Sequence, residues 1–202
     1  MPCTTRSPAL PVPLISHRLG PRALALLCAS CVVTAFAQES PPREQRRVFI
    51  DMAHARSGME LASVGLQLPW AWRRPWLGGE LSGLWDAHVA RWHVSAASGG
   101  PGRRQWTQLA LVPTLRLRFD GGRSPWFVEG GIGLSVIDGH VQTRDERFST
   151  RFNFTDHLGV GVNLGNHWQH QLLLAVRHVS NGSIRKPNPG ESFLQLRYGL
   201  AF

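Results

Sequence analysis

From Leu194 to the end of the chain the residues alternate without a break. Leu194, Leu196, Tyr198, Leu200 and Phe202 are apolar or aromatic, and Gln195, Arg197, Gly199 and Ala201 stand between them. Successive side chains of a β-strand point to opposite faces, so this segment has one apolar wall and one polar wall. A barrel strand with lipid outside and a polar lumen has that pattern, and so does the edge of a soluble sheet. Further upstream, Leu172, Leu174 and Val176 share their parity with His178 and Ser180, which puts an imidazole and a hydroxyl on the apolar wall of the preceding strand.

The remainder of the chain decides between the two. Eight strand-like segments are predicted, at 47–54, 59–70, 79–94, 105–119, 126–137, 151–164, 171–180 and 193–202, and none has a convincing helical stripe, although 69–76 is short and aromatic enough to hide a helical turn. An even number of alternating strands with no apolar helix of membrane length predicts an all-β fold, a closed eight-stranded antiparallel transmembrane β-barrel of the bacterial outer membrane. With the N-terminus in the periplasm, the joins at 69–78, 120–125 and 165–170 become periplasmic turns. Those at 95–104, 138–150 and 181–192 become outer loops, and 55–58 is a short outer connection. Trp70, Trp72, Trp76, Trp126 and Trp168 at one level, with Trp92 and Trp106 near the other, suggest two interfacial girdles. Asp51, Glu80, Asp86, Glu129, Arg116, Arg118 and Arg197 are expected to form a salt-bridged interior, because eight strands leave little room for a pore.

At the start, Arg18 and Arg22 precede an apolar run from Ala23 to Val33, and Ala35-Phe36-Ala37 gives a small-x-small cleavage pattern. Residues 1–37 therefore read as a secretory signal, and 38–202 as the barrel domain. Cys3, Cys28 and Cys31 all fall in the signal, which leaves no disulfide framework and no thiolate metal site. Losing Arg6, Arg18 and Arg22 takes the formal charge from +9 to +6. On a secreted chain that excess suits anionic outer-membrane lipid, and no basic run interleaved with aromatics points to nucleic acid. Residues 39–47 are expected to be a short flexible lead-in.

A serine hydroxyl attacks an ester only when a neighbouring base takes its proton, and the base works better when a third group holds its tautomer. His178 can reach Ser180 across one strand face, Glu191 is the nearest downstream carboxylate, and Asn181 and Asn188 are candidate donors to an oxyanion. His167 and His170 flank Trp168 and read more simply as part of a polar turn than as a metal pair. The glycines at 130, 131, 133, 159, 161 and 165 lack the Lys and the helix of a phosphate loop. Arg103, Arg104, Arg144, Arg147, Arg185 and Lys186 fall in outer loops, where a contribution to binding lipid phosphates competes with ordinary solvated charge.

Arg177-His178-Val179-Ser180-Asn181, followed by Pro187-Asn188-Pro189-Gly190, Glu191 and a last strand, resembles the outer-membrane lipid A 3-O-deacylases. The likeness extends to Ser57-Gly58-Met59, Gly83-Leu84-Trp85-Asp86-Ala87, Phe127-Val128-Glu129-Gly130-Gly131-Ile132-Gly133 and Asn153-Phe154-x-Asp156. The resemblance implies a cofactor-free esterase that hydrolyses the acyl chain at position 3 of lipid A, the lipid part of lipopolysaccharide. It also implies Ser180 as nucleophile, His178 as base, Glu191 as orienting acid, and Asn181 and Asn188 near the oxyanion. A homodimer is left open. One position departs from the family pattern, which has its carboxylate one residue further past the turn, where this chain carries Ser192. Parity also turns Glu191 away from the face of Leu194 and Leu196, so a loop or bulge would have to re-aim it. A non-enzymatic adhesive or structural barrel, and an acyltransferase that shares the nucleophile, are the alternatives.

Overall fold

A sheet with one apolar and one polar face exposes two unpaired edges, and closing it on itself removes both. The structure, a computed structural model, describes residues 42–95, 98–99 and 102–202. The expected signal segment 1–37 lies outside the described residues. Eight strands follow in order: β1 (Arg47–Ala55), β2 (Met59–Trp76), β3 (Gly79–Val94), β4 (Gln105–Arg118), β5 (Trp126–Ile137), β6 (Phe152–Leu164), β7 (His170–Ser180) and β8 (Glu191–Ala201). Each pairs antiparallel with its sequence neighbours, and β1 with β8, which closes the barrel. Every strand pairs with the next in sequence, so the connections alternate between the two ends of the barrel.

One boundary differs. The residues expected to make a turn at 69–78 remain in strand as far as Trp76, with a register shift between Pro69 and Arg73, and only Leu77 and Gly78 turn the chain, both at positive φ. The shift brings the Trp70 ring over Gly83, where a Cβ would lie 1.8 Å from a ring carbon, so only glycine fits. Trp70 also packs against Trp72 and Trp85, with ring centroids 5.9 and 5.5 Å apart.

The outward parity carries Val48, Ile50, Met52, Leu109, Leu111, Leu134, Leu158, Leu194, Leu196 and similar residues, all exposed to the lipid side. The inward parity carries the charges. Arg197 and Arg177 bind Asp51, Arg197 also reaches Asp86, and Asp86 holds His88 at 2.8 Å. Towards the periplasmic end Arg116 pairs with Glu129, and Arg118 with Glu80. Burying charges is repaid only when they are well paired and hydrogen-bonded, and these pairs fill the lumen as the sequence implied. The lead-in takes part in the packing: Glu44 accepts from Arg116 at 2.8 Å and the Pro42 carbonyl from Arg118 at 2.7 Å, which draws residues 42–44 into the periplasmic mouth. Trp92 and Trp106 do not form an outer girdle. Both are buried in the lumen, where Trp92 meets Phe148 and Phe193 edge-on and donates its indole N–H to Gln108. With Met59, Val179 and Ile137 they close the outer end of the barrel with an apolar plug. Their even numbers follow the inward parity of β3 and β4, which proximity to the strand ends had obscured.

Candidate active site

β7 alternates between Arg177 and Val179 inside and Val176, His178 and Ser180 outside. On the outer wall His178 stands between two cross-strand neighbours, Asp156 of β6 and Ser192 of β8, and Ser180 pairs with Phe154. His178 Nδ1 lies 2.9 Å from Ser192 Oγ. The other edge of the ring faces Gly190, at φ +63, where a Cβ would lie 2.8 Å from His178 Cε1, 3.1 Å from Nε2 and 3.4 Å from Ser180 Cβ. One point in space thus touches both His178 Nε2 and Ser180, and the missing side chain leaves it open.

The expected contact between Glu191 and His178 is absent. Glu191 pairs with Val179 on the inward parity of β8, and its carboxylate accepts from Ser57 Oγ at 2.6 Å and from the Ser192 backbone N–H at 3.1 Å. It ties the start of β8 to the β1–β2 turn, which accounts for the Ser57-Gly58-Met59 segment. No bulge re-aims it; Ser192 occupies the place on the imidazole, as parity requires. Asn181 also follows the inward parity and is buried. Both its amide hydrogens are engaged, with Ser149 Oγ at 3.0 Å and the Arg185 carbonyl at 2.7 Å, so its side chain fixes the loop rather than facing an oxyanion. Asn188 accepts the Asn181 backbone N–H at 3.0 Å through Oδ1, which leaves its amide nitrogen as a donor.

Below His178 a groove of about 680 Å³ runs along the outer wall. Val176, Leu158, Gly130, Gly131 and Pro113 are among the residues that line it. Asp156 lines it beside His178. This carboxylate was legible as an outward residue from its parity with Leu158 and Val160, yet its nearness to His178 depends on register between strands and could not be read from β7 and β8. Above the barrel, Arg147, Arg185, Lys186 and His140 line a recess of about 260 Å³, whereas Arg103 is paired with Asp138. His170 stacks on Tyr198 with its Nδ1 2.7 Å from the hydroxyl, so it belongs to the wall.

A closed eight-stranded barrel with an apolar outer wall and a salt-bridged lumen defines an outer-membrane β-barrel protein. Comparison with known proteins gives the particular family. The model of the lipid A 3-O-deacylase (PagL) family matches residues 60–201, and the chain belongs to that family. Lipid A deacylase PagL of Pseudomonas aeruginosa is 29% identical over 151 residues, which is 73% of this chain and 81% of the relative. Lipid A deacylase PagL of Bordetella bronchiseptica is 31% identical over 119 residues, 48% of this chain and 65% of the relative. The crystal structure of the outer membrane enzyme PagL superposes with a TM-score of 0.64 at 23% identity, covering 77% of this chain and 99% of that one, and it shares the fold.

Proposed function

We propose that this chain is a lipid A 3-O-deacylase, a serine esterase of the outer membrane in which Ser180 is the nucleophile and His178 the base. Family membership supplies the reaction. The observation that carries the residue assignment is the pair on the lipid-facing wall, with Gly190 leaving space against both. Lipid A arrives laterally from the outer leaflet, with an acyl chain along the groove below His178. Ser180 Oγ attacks the ester carbonyl while His178 Nε2 takes the hydroxyl proton. The tetrahedral intermediate collapses, the acyl C–O bond to the sugar breaks, and the imidazolium gives its proton to the departing sugar oxygen, which leaves as a hydroxyl. Water then attacks the acyl-serine with the same base, which releases a fatty acid and regenerates Ser180. The amide nitrogen of Asn188 serves the oxyanion, and Ser192 rather than Glu191 orients the imidazole. No step needs a cofactor. Residues 1–37 act as the secretory signal for the barrel of residues 38–202. Every residue named comes from one chain, so a homodimer is compatible with the site and not required by it.

The test is mass spectrometry of lipid A from membranes carrying wild type, Ser180→Ala or no barrel, with folding checked by heat-modifiable gel mobility. Loss of one 3-hydroxyacyl mass with wild type alone is expected. Identical lipid A in all three, in membranes and again in detergent micelles, would leave a non-enzymatic barrel as the better account.

A further inference from the structure

Neither Ser180, His178 nor the hydroxyl on the imidazole carries a negative charge. During attack His178 becomes an imidazolium on a wall that faces hydrocarbon, where an unbalanced charge costs more than in water. Ser192, the group on its Nδ1, is neutral. A hydroxyl can also either donate or accept, so it holds the ring in place without favouring the charged form as a carboxylate does. Glu191, the expected source of that charge, is turned inward and bound to Ser57.

Asp156 has the opposite problem. It sits on the outward parity of β6, between Phe154 and Leu158, and forms no ion pair among the described residues. A carboxylate on a lipid-facing strand is unfavourable, and an ionisable group in such a position marks function with a partner nearby. Its register partner on β7 is His178, and both line the same groove. Residues directly opposite in an antiparallel pair have Cβ atoms about 4.5 to 5.5 Å apart. The other neighbours of His178 on this wall, Phe154, Leu158, Val176, Ser192 and Leu194, carry no charge.

We infer that Asp156 is a positioning residue of the esterase, supplying across the β6–β7 pair the negative charge that stabilises the His178 imidazolium in the transition state. The inference rests on the reading of Ser180 and His178 as nucleophile and base. Asp156 makes no direct hydrogen bond to the ring; its charge acts through a gap that lipid keeps dry. The chain thereby divides between two neighbours what one carboxylate commonly does: Ser192 fixes the ring from β8, and Asp156 supplies the charge from β6.

The experiment measures kcat and KM on lipid A in mixed micelles for the full barrel and for Asp156→Asn, Asp156→Glu, Ser192→Glu and the double variant Asp156→Asn with Ser192→Glu. Each is first shown to fold by heat-modifiable mobility. Asp156→Asn is expected to lower kcat by about 10- to 100-fold with KM little changed, since an opposite charge at this range favours an ionised partner by about that factor. Asp156→Glu should keep most of the rate. Placing a carboxylate against Nδ1 with Ser192→Glu should restore the double variant to within about threefold of wild type, a rescue that a merely structural role for Asp156 would not give. The inference is overturned by an unchanged kcat in Asp156→Asn, by a loss confined to KM, or by failure of Ser192→Glu to restore the rate. Wild type that leaves lipid A intact would instead sink the esterase reading itself.

Discussion

The two faces of β7 follow opposite rules. On the inner face Arg177 is buried and held by Asp51, Gln171 is bonded to Asn163 and Arg116, and Asn181 uses both amide hydrogens to pin the loop above. On the outer face, His178 has a single side-chain hydrogen-bond partner among the described residues and Ser180 has space beside it. The inner face is committed to polar pairing that a closed lumen demands. The outer face keeps two reactive groups lightly bonded where lipid can reach them. A rigid, paired interior lets an exposed wall carry groups that have little structural work.

That contrast makes separable predictions, because damage to one face should spare the property of the other. On the outer face His178→Gln should reduce deacylation by about 10⁶-fold, the scale seen when a triad base is removed. Its urea unfolding midpoint in micelles should match wild type. On the inner face Arg197→Met leaves Asp51 and Asp86 without their shared cation. It should cost about 3 to 5 kcal/mol of stability, as breaking one side of a buried pair does, read as a lower unfolding midpoint. The protein that still folds should hydrolyse lipid A at close to the wild-type rate. A large fall in kcat for folded Arg197→Met, or a lowered midpoint for His178→Gln, would break the division between faces.

Parity explains how much of this was legible in the sequence. Alternation fixed the barrel, the strand number and the outward placement of His178 and Ser180, because a period of two acts within each strand. It also places Glu191 and Asn181, both odd-numbered, on the inward parity that the structure shows. Trp92 and Trp106 lie near strand ends, as girdle residues do, yet their even parity turns both inward. What alternation cannot supply is registry between strands, which sets Asp156 against His178 and Glu191 over Ser57. Nor does it reveal a loop that folds back, as Gly190 does over the site.

Gly190 gives the next largest effect. Its φ of +63 strains any other residue, and a Cβ would press on the face of His178 at 2.8 Å from Cε1. Gly190→Ala should cost about 1 kcal/mol of stability. The rate should fall by more than that strain accounts for, about 10- to 100-fold, because small displacements of reacting groups are amplified in rate. Equal rates for Gly190→Ala and wild type would show that the space beside Ser180 is not where the ester sits.

The smallest effects sharpen the comparison most, since they concern adjacent residues on opposite faces. Ser192 faces out and touches the imidazole; Glu191 faces in and touches Ser57. Ser192→Ala removes one neutral hydrogen bond that orients the base, worth about 0.5 to 1.5 kcal/mol and so about a 2- to 13-fold fall in kcat. Glu191→Gln keeps an acceptor for Ser57 and leaves the outer wall unchanged, so kcat should stay within about twofold of wild type. The order matters more than either size. If Glu191→Gln proved the more damaging in kcat, the carboxylate would have to reach His178 in the working enzyme, and the start of β8 would have to rotate by one residue to bring it there. That rotation would carry Phe193 out of the apolar plug it forms with Trp92. Because Glu191→Gln still offers Ser57 an acceptor, its urea unfolding midpoint should match wild type. A fall in kcat larger than that of Ser192→Ala, at an unchanged midpoint, is the combination the structure forbids.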